Sequence, residues 1–408
     1  MQLRTYALTL LMIFITTTTI AQVLSYEIID TFDQKKLEGI WAKGKIPKPL
    51  LEINYDVVVY DIIYQSHWVN GEPIKASGLY FAPVTEEAFP IMVYNHGTRI
   101  RKQRSNSIRG ENLISMIFAT DGYGVIMPDY FGLGHGDKVH LYCHADSEAD
   151  AGIDFLKIID KFNKKHGHKR NEEIFITGYS QGGHACLALH KKLQKEYSDE
   201  FPVKASSPMS GPYDLAVTQA EVMYQEYSQP HYLPYLLIGT NAAYNIWPQE
   251  RFYKIFKNPY DTIIPELFTG DYSYADINAA LPSIPKNMII DELNHQYENN
   301  PDYLFKKIMV DNSVDDWKPN APIQFCYCEA DEEVKYENSL VAYDKMKANG
   351  AKHLYLRSAG KQFGHRACAD YALVYTKFFF DSFRKGSKKG RKGPLHKRIL
   401  LGIAKKFR

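Results

Sequence analysis

Three residue types stand in this chain in an order that suits nucleophilic catalysis. Gly178-Tyr179-Ser180-Gln181-Gly182 follows a strand-like apolar run, Glu173 to Thr177, and precedes a helix-like stretch from about 182 to 197. A serine at a sharp strand-to-helix turn has its hydroxyl lifted clear of the backbone. The strained turn needs small residues two positions to either side. Such a serine requires a base, and the base requires an orienting carboxylate. Downstream, the strand-like Ile323 to Cys328 ends in Glu329-Ala330-Asp331-Glu332-Glu333-Val334. Asp331, just past the strand end, is the candidate acid. Glu329, Glu332 and Glu333 read as solvated loop charges, any of which could replace it. His365, in Phe363-Gly364-His365 before the last long helix, is the candidate base. His184, in the first turn after the serine, and His135, in a Gly-rich loop, read as structural.

Attack on a carbonyl also needs backbone N–H donors for the developing oxyanion. One is expected from Gln181, at the start of a helix whose dipole favours negative charge. The other is expected from Asn95-His96-Gly97-Thr98, with Thr98 as donor and Gly97 as the alternative. His96 then packs rather than acting as a base. No metal-ligand cluster or dinucleotide fingerprint is evident, so no cofactor is expected. Gly132-Leu133-Gly134-His135-Gly136 lacks a phosphate-binding context and reads as a tight turn.

The elements that must position these residues alternate between strand and helix. Asn54–Gln65 and Ala76–Phe81 read as an antiparallel hairpin across Asn70-Gly71-Glu72-Pro73, and residues 26–48 before them as mixed helix and loop. Ile91–Tyr94, Gly124–Met127, Glu173–Thr177 and Val203–Pro208 are strand-like, with helices near 109–120, 147–166 and 182–197 between them. This pattern implies βαβ units and a mostly parallel sheet flanked by helices, an α/β fold. The alternation stops near Asp214 and resumes near Ala321. Between them lie helical pieces near 214–227, 261–268 and 286–308, and 18 aromatic residues fall in 213–317. That density, above the chain average of 13%, marks a packed insertion rather than a linker. The sheet then resumes with Ile323–Cys328, a helix at 336–348, a strand at His353–Leu356 and a helix at 366–383.

The ends of the chain carry different signals. Arg4, an apolar stretch from Ala7 to Ile15 and Thr19-Ile20-Ala21 make a signal-peptide pattern with cleavage before Gln22, which predicts a secreted or periplasmic protein. The apolar run is too short to span a bilayer. The net charge of +2 hides an asymmetry, because residues 384–408 hold 11 Lys or Arg and no acid, leaving −9 for the rest. Nothing here directs the chain to nucleic acid. The tail, with Ile399, Leu400, Leu401, Ile403 and Phe407 among its cations, reads either as an amphipathic helix for an anionic membrane surface or as a solvated end. Five cysteines, an odd number, leave at least one free thiol in an oxidising compartment, and they read as mostly buried. The resulting division is a signal peptide at 1–21, a catalytic domain at 22–383 with 214–316 inserted, and a basic tail at 384–408.

Across about 50–383 the chain resembles the α/β-hydrolase superfamily. The resemblance rests on Asn95-His96-Gly97-Thr98, Asp129-Tyr130-Phe131-Gly132-Leu133-Gly134, the Ser180 turn, Asp331 with Val334, and Gly364-His365. Within it, Gly178 to Ala185 and Gly211-Pro212-Tyr213-Asp214-Leu215 are similar to the secretory lipase group related to fungal lipase A. The resemblance implies a carboxylic ester hydrolase, acting on a small-molecule or lipid ester, with a helical lid inserted after the sixth strand. A serine exopeptidase of the same fold and a binding or surface protein without activity are the alternatives.

Overall fold

A computed structural model describes residues 22–406 apart from Lys45, Lys48 and Arg391, so the expected signal peptide at 1–21 lies outside the described residues. The elements in chain order are β1 (Val23–Phe32), α1 (Gln34–Lys43), β2 (Val57–His67), β3 (Pro73–Pro83), β4 (Phe89–Asn95), α2 (Glu111–Ala119), β5 (Gly124–Pro128), α3 (Ala145–His166), β6 (Arg170–Tyr179), α4 (Gln181–Glu196) and β7 (Val203–Met209). The insertion contributes α5 (Tyr232–Tyr244), α6 (Tyr260–Leu267), α7 (Tyr274–Ala279), α8 (Asp291–Asn299) and α9 (Leu304–Asp311). The chain then forms β8 (Ile323–Cys328), α10 (Glu337–Ala348), β9 (Leu354–Gly360), α11 (His365–Arg384) and α12 (Leu395–Lys406).

Among the described residues the strands form one nine-stranded sheet in the order β1-β2-β3-β5-β4-β6-β7-β8-β9. The first three strands and the β3–β5 pairing are antiparallel, and β5 through β9 run parallel. Strand alternation sends neighbouring residues to opposite faces. In β4, Met92 and Tyr94 enter one core with Phe118, Phe175 and Phe380, while Ile91 and Val93 enter the other with Phe155, Ile158 and Leu189. Both faces are covered, which is why the central strands read as unbroken apolar runs.

The expected hairpin, parallel strands and flanking helices are all present; α5 and α7 form outside the expected helical pieces of the insertion, and three further differences stand out. Residues 23–32 are a strand on β2 rather than mixed helix and loop. This edge strand exposes most of its side chains, so no alternation toward a core marks it. In the insertion, residues 214–219 form a turn in which Asp214 accepts bonds from Val217 N and Thr218 N, and only a 3-10 turn, Ala220–Tyr224, stands where a helix at 214–227 was expected. The 286–308 stretch is two helices, α8 and α9, because Pro301 disfavours helix in the residue before it.

Counted from the hairpin, β7 is the sixth strand, and residues 214–316 fall between it and β8. They hold their own core around Leu233, Phe252, Ile264, Met288 and Phe305, joined to the sheet domain through Ile100, Tyr142 and Cys143. At the other end, α12 returns to the body. Leu401 is buried with Leu373 and Phe378, Lys397 pairs with Glu52 at 2.7 Å, and Lys405 bonds to Tyr375.

Candidate active site

Ser180 sits between the last residue of β6 and the first of α4, with φ 60° and ψ −123°. A non-glycine residue held there costs about 1–3 kcal/mol, a strain the surroundings must impose. They do so by close approach. A Cβ on Gly178 would collide with the Gly182 carbonyl, and one on Gly182 would collide with the Asn95 carbonyl. Ser180 N donates to Met209 O at 2.9 Å, which ties the turn to β7.

The candidate acid and base meet. His365 Nδ1 lies 2.8 Å and 2.9 Å from the two carboxylate oxygens of Asp331. Asp331 Oδ1 also accepts from Val334 N at 2.9 Å and Glu333 N at 3.1 Å, which fixes its orientation. His365 opens α11, and its backbone N donates to Glu332 at 2.9 Å, so an acid sits at the positive end of that helix. Burial alone would lower the His365 pKa. The Asp331 hydrogen bond and charge, with Glu333 and Glu332 beyond, outweigh it and hold the imidazole above its ordinary value. Tyr179, the residue before the serine, packs its ring 5.0 Å from the His365 ring and donates to the His365 carbonyl. Among the described residues no hydrogen bond joins Ser180 Oγ to His365; serine–base contacts are often looser without substrate.

One expected oxyanion donor, Gln181, follows the serine, and the loop that carries the other, Thr98, approaches the turn at Gly97. Gln181 N begins α4. Gly97 packs against Tyr179 O and Ser180 Cβ, but its N–H is already taken by Glu111 Oε1 at 2.7 Å. With that N–H engaged, Gly97 is poorly placed to donate to an oxyanion. The Thr98 side chain meets Tyr142 Oη at 3.1 Å, and its carbonyl accepts from Tyr274 of the insertion at 2.6 Å. His96 is buried against Tyr130, as a packing residue should be.

Beneath the turn lies a polar network that sequence reasoning missed. Glu148 is fully buried and accepts from Gln181 Nε2 at 2.7 Å. Its other oxygen lies 2.7 Å from His184 Nδ1, while His184 Nε2 faces the Asn312 carbonyl at 2.8 Å. Gln181 Nε2 also donates to His140, which burial pushes down to about 4 and so keeps neutral. A signal for Glu148 did exist: it falls in register with Gly152, Phe155 and Ile159 on the buried stripe of α3. Cys143, Glu148 and His184 offer ligand atoms within 4.8 Å of one another. Both histidine nitrogens and both carboxylate oxygens are already bonded, and burial holds the thiol protonated, so the trio fits a hydrogen-bond network better than a metal site.

Glu333 differs from its expected role as a solvated loop charge. It is buried, bonded by Tyr232 at 2.8 Å and Gln229 at 3.2 Å, and its Oε2 lies 3.9 Å from His365 Nε2. Both partners come from the insertion, which is why the local acidic run gave no sign of it. Ser180 itself lines a narrow apolar cavity of ≈ 70 Å³ with Tyr142, Leu215, Leu233, Tyr297 and Phe305.

This arrangement can be set beside known proteins. The secretory lipase family matches residues 102–214. A putative hydrolase from Legionella pneumophila subsp. pneumophila str. Philadelphia 1 is 27% identical and superimposes with a TM-score of 0.81, over 89% of this chain and 98% of its own. The chain has the α/β-hydrolase fold. The rice cell wall degrading esterase LipA from Xanthomonas oryzae, in a ligand-bound form, shares this hydrolase fold at 24% identity and a TM-score of 0.75, over 87% of this chain and 94% of its own. Candida antarctica lipase A in its closed state shares it at 14% identity and a TM-score of 0.66, over 90% and 83%. No curated protein matches this chain. The named activities among these similar proteins are those of lipases and esterases, which bears out the ester-hydrolase class implied by the sequence resemblance.

Proposed function

We propose that this hydrolase is an exported serine esterase that cleaves carboxylic esters through an acyl-enzyme on Ser180. The observation that carries the proposal is Ser180, held on a strained turn at an apolar cavity, with the Asp331–His365 pair packed against the preceding residue. His365 Nε2 takes the Ser180 proton as Oγ attacks the ester carbonyl. Gln181 N–H and Thr98 N–H hold the oxyanion. His365 then gives the proton to the departing alcohol, and water, deprotonated the same way, releases the acid. Asp331 keeps the Nδ1 proton in place and stabilises the imidazolium.

Export is supported by the residues before Gln22 and by the Cys328–Cys368 disulfide, a bond that persists in oxidising compartments. The remaining cysteines, Cys143, Cys186 and Cys326, are buried thiols. Residues 214–316 act as the lid. A cavity of ≈ 70 Å³ is well below the usual size of a ligand site, so admitting a long acyl chain requires this insertion to move.

Membrane contact is assigned to α12. Leu395, Ile399 and Ile403, spaced four apart, are 66%, 54% and 49% exposed on one face, while Leu401 is buried against the body. The cations of 384–408 around that ridge complement an anionic lipid surface.

An exopeptidase acting from the amino terminus would need a free carboxylate for the substrate ammonium. Glu333 is the buried acid nearest His365 Nε2, and Tyr232 and Gln229 already occupy its oxygens, which favours the ester. The test is a panel of p-nitrophenyl esters of increasing acyl length beside aminoacyl-anilides. Ester turnover with no anilide cleavage is expected; anilide cleavage with no ester turnover would overturn the proposal.

A further inference from the structure

The loop leaving Thr98 carries Arg99, Arg101, Lys102, Arg104 and Arg109 and no acid before Glu111. With the first turn of α2 and Tyr272–Tyr274 of the insertion it encloses a second cavity, ≈ 470 Å³, lined by all four arginines. Part of their charge is spent. Arg104 bridges Asp61 and Asp129, and Arg99 meets Asp129 at 3.2 Å. The half-buried Glu111 carboxylate accepts from Gly97 N and Tyr94 Oη, and Asp276, near Arg101, is held by Ser273.

What remains is positive and unsatisfied. The Arg104 side chain is 4% exposed, yet its Nε–H has no hydrogen-bond partner. Arg101 and Arg109 are exposed and form no ion pair among the described residues. Gly110 gives α2 no side-chain cap, so the positive end of that helix adds to the same wall.

The cavity adjoins the catalytic apparatus through one residue. Tyr274, on its wall, donates to the Thr98 carbonyl, and the Thr98 side chain meets Tyr142 of the apolar cavity beside Ser180. Thr98 therefore stands between an apolar cavity and an arginine-lined one. Guanidinium forks match the geometry of carboxylate and phosphate oxygens.

We infer that the arginine-lined cavity binds an oxyanion, a carboxylate or phosphate group, carried on the leaving-alcohol side of the ester. The inference rests on the esterase reading, with the hydrocarbon part of the substrate in the apolar cavity. Its first test needs no turnover. Inorganic phosphate titrated calorimetrically into the full chain is expected to bind saturably, and Arg101→Ala/Arg109→Ala to weaken it by about tenfold or more. Lys388→Ala/Lys389→Ala, two exposed cations elsewhere, serves as the control for general attraction. Absence of saturable binding, or equal weakening by both double variants, overturns the site while leaving the Ser180 assignment standing. A second measurement separates a substrate group from a free ion. The butyryl ester of glycerol phosphate should be cleaved with a higher kcat/KM than the butyryl ester of glycerol, and Arg101→Ala/Arg109→Ala should remove the difference. Phosphate binding without that preference would overturn the assignment to the substrate.

Discussion

Glu333 Oε2 stands 3.9 Å from His365 Nε2, on the side of the ring opposite Asp331. The candidate base is thus flanked by two buried carboxylates, one of them tied to the insertion through Tyr232 and Gln229. Both raise the His365 pKa against the effect of burial.

The sign of the pH effect follows. His365 accepts a proton only when neutral, so the acid limb of kcat/KM should lie above the range of an unperturbed histidine. Glu333→Gln removes one raising charge and should move that limb to lower pH. A pH profile of the variant with a soluble ester checks this, and an unmoved limb would show that Glu333 does not act on His365. For stability the same shift runs the other way. The protonated ring stabilises the fold fully below its unfolded pKa of about 6.5, and the contribution is lost as pH rises through the raised value.

Asp331→Asn should lower kcat by about four orders of magnitude, because it removes the charge that stabilises the imidazolium and its NH2 group can hold the ring in the wrong tautomer. Glu332→Gln keeps an acceptor for His365 N and should cost far less. Similar turnover for the two variants would move the acid elsewhere.

The Cys328–Cys368 bond joins the end of β8 to the first turn of α11, three residues from Asp331 and three from His365. It closes a loop of 40 residues. Cys328→Ala/Cys368→Ala should therefore cost about 2–5 kcal/mol in denaturant unfolding. It should also lower activity more than a distant substitution of equal cost, since the elements that carry the proposed acid and base lose their staple. Wild-type stability after the substitution would remove the bond from the account.

On α12, Leu395→Ser/Ile399→Ser/Ile403→Ser removes the exposed ridge and should weaken binding to anionic vesicles. The electrostatic part, about 1 kcal/mol for each cation near the surface, should fade with added salt. Deleting 395–408 should also lower the melting temperature, because Leu401 is part of the core. Equal vesicle binding by wild type and triple variant would leave the ridge without a membrane role.

Much of this was legible in sequence. Central strands such as β4, β6 and β8 announce themselves because burial on both faces makes them continuously apolar. Ser180, Asp331 and His365 stand out because the chemistry proposed for them demands an ordered turn, a strand end and a loop before a helix. Edge strand β1 was hidden by its exposure. Helix α5 was hidden by Pro234 near its start and by Gly239, whose missing side chain lets it lie on the backbone of Tyr142. The buried acids Glu148 and Glu333 were hidden because their partners lie far along the chain, Gln181 33 residues and Tyr232 101 residues away.

The central claim is that Ser180 is the nucleophile of an ester hydrolase, and covalent labelling tests it most directly. A fluorophosphonate probe should modify the full chain at Ser180 alone, as read by mass spectrometry of its peptides, and should abolish turnover of a short p-nitrophenyl ester. Ser180→Ala should take no label and keep only a residual of about 10³–10⁴ over water, and His365→Ala added to it should cost little more. Labelling at another residue, or wild-type turnover by cleanly purified Ser180→Ala, would contradict the account.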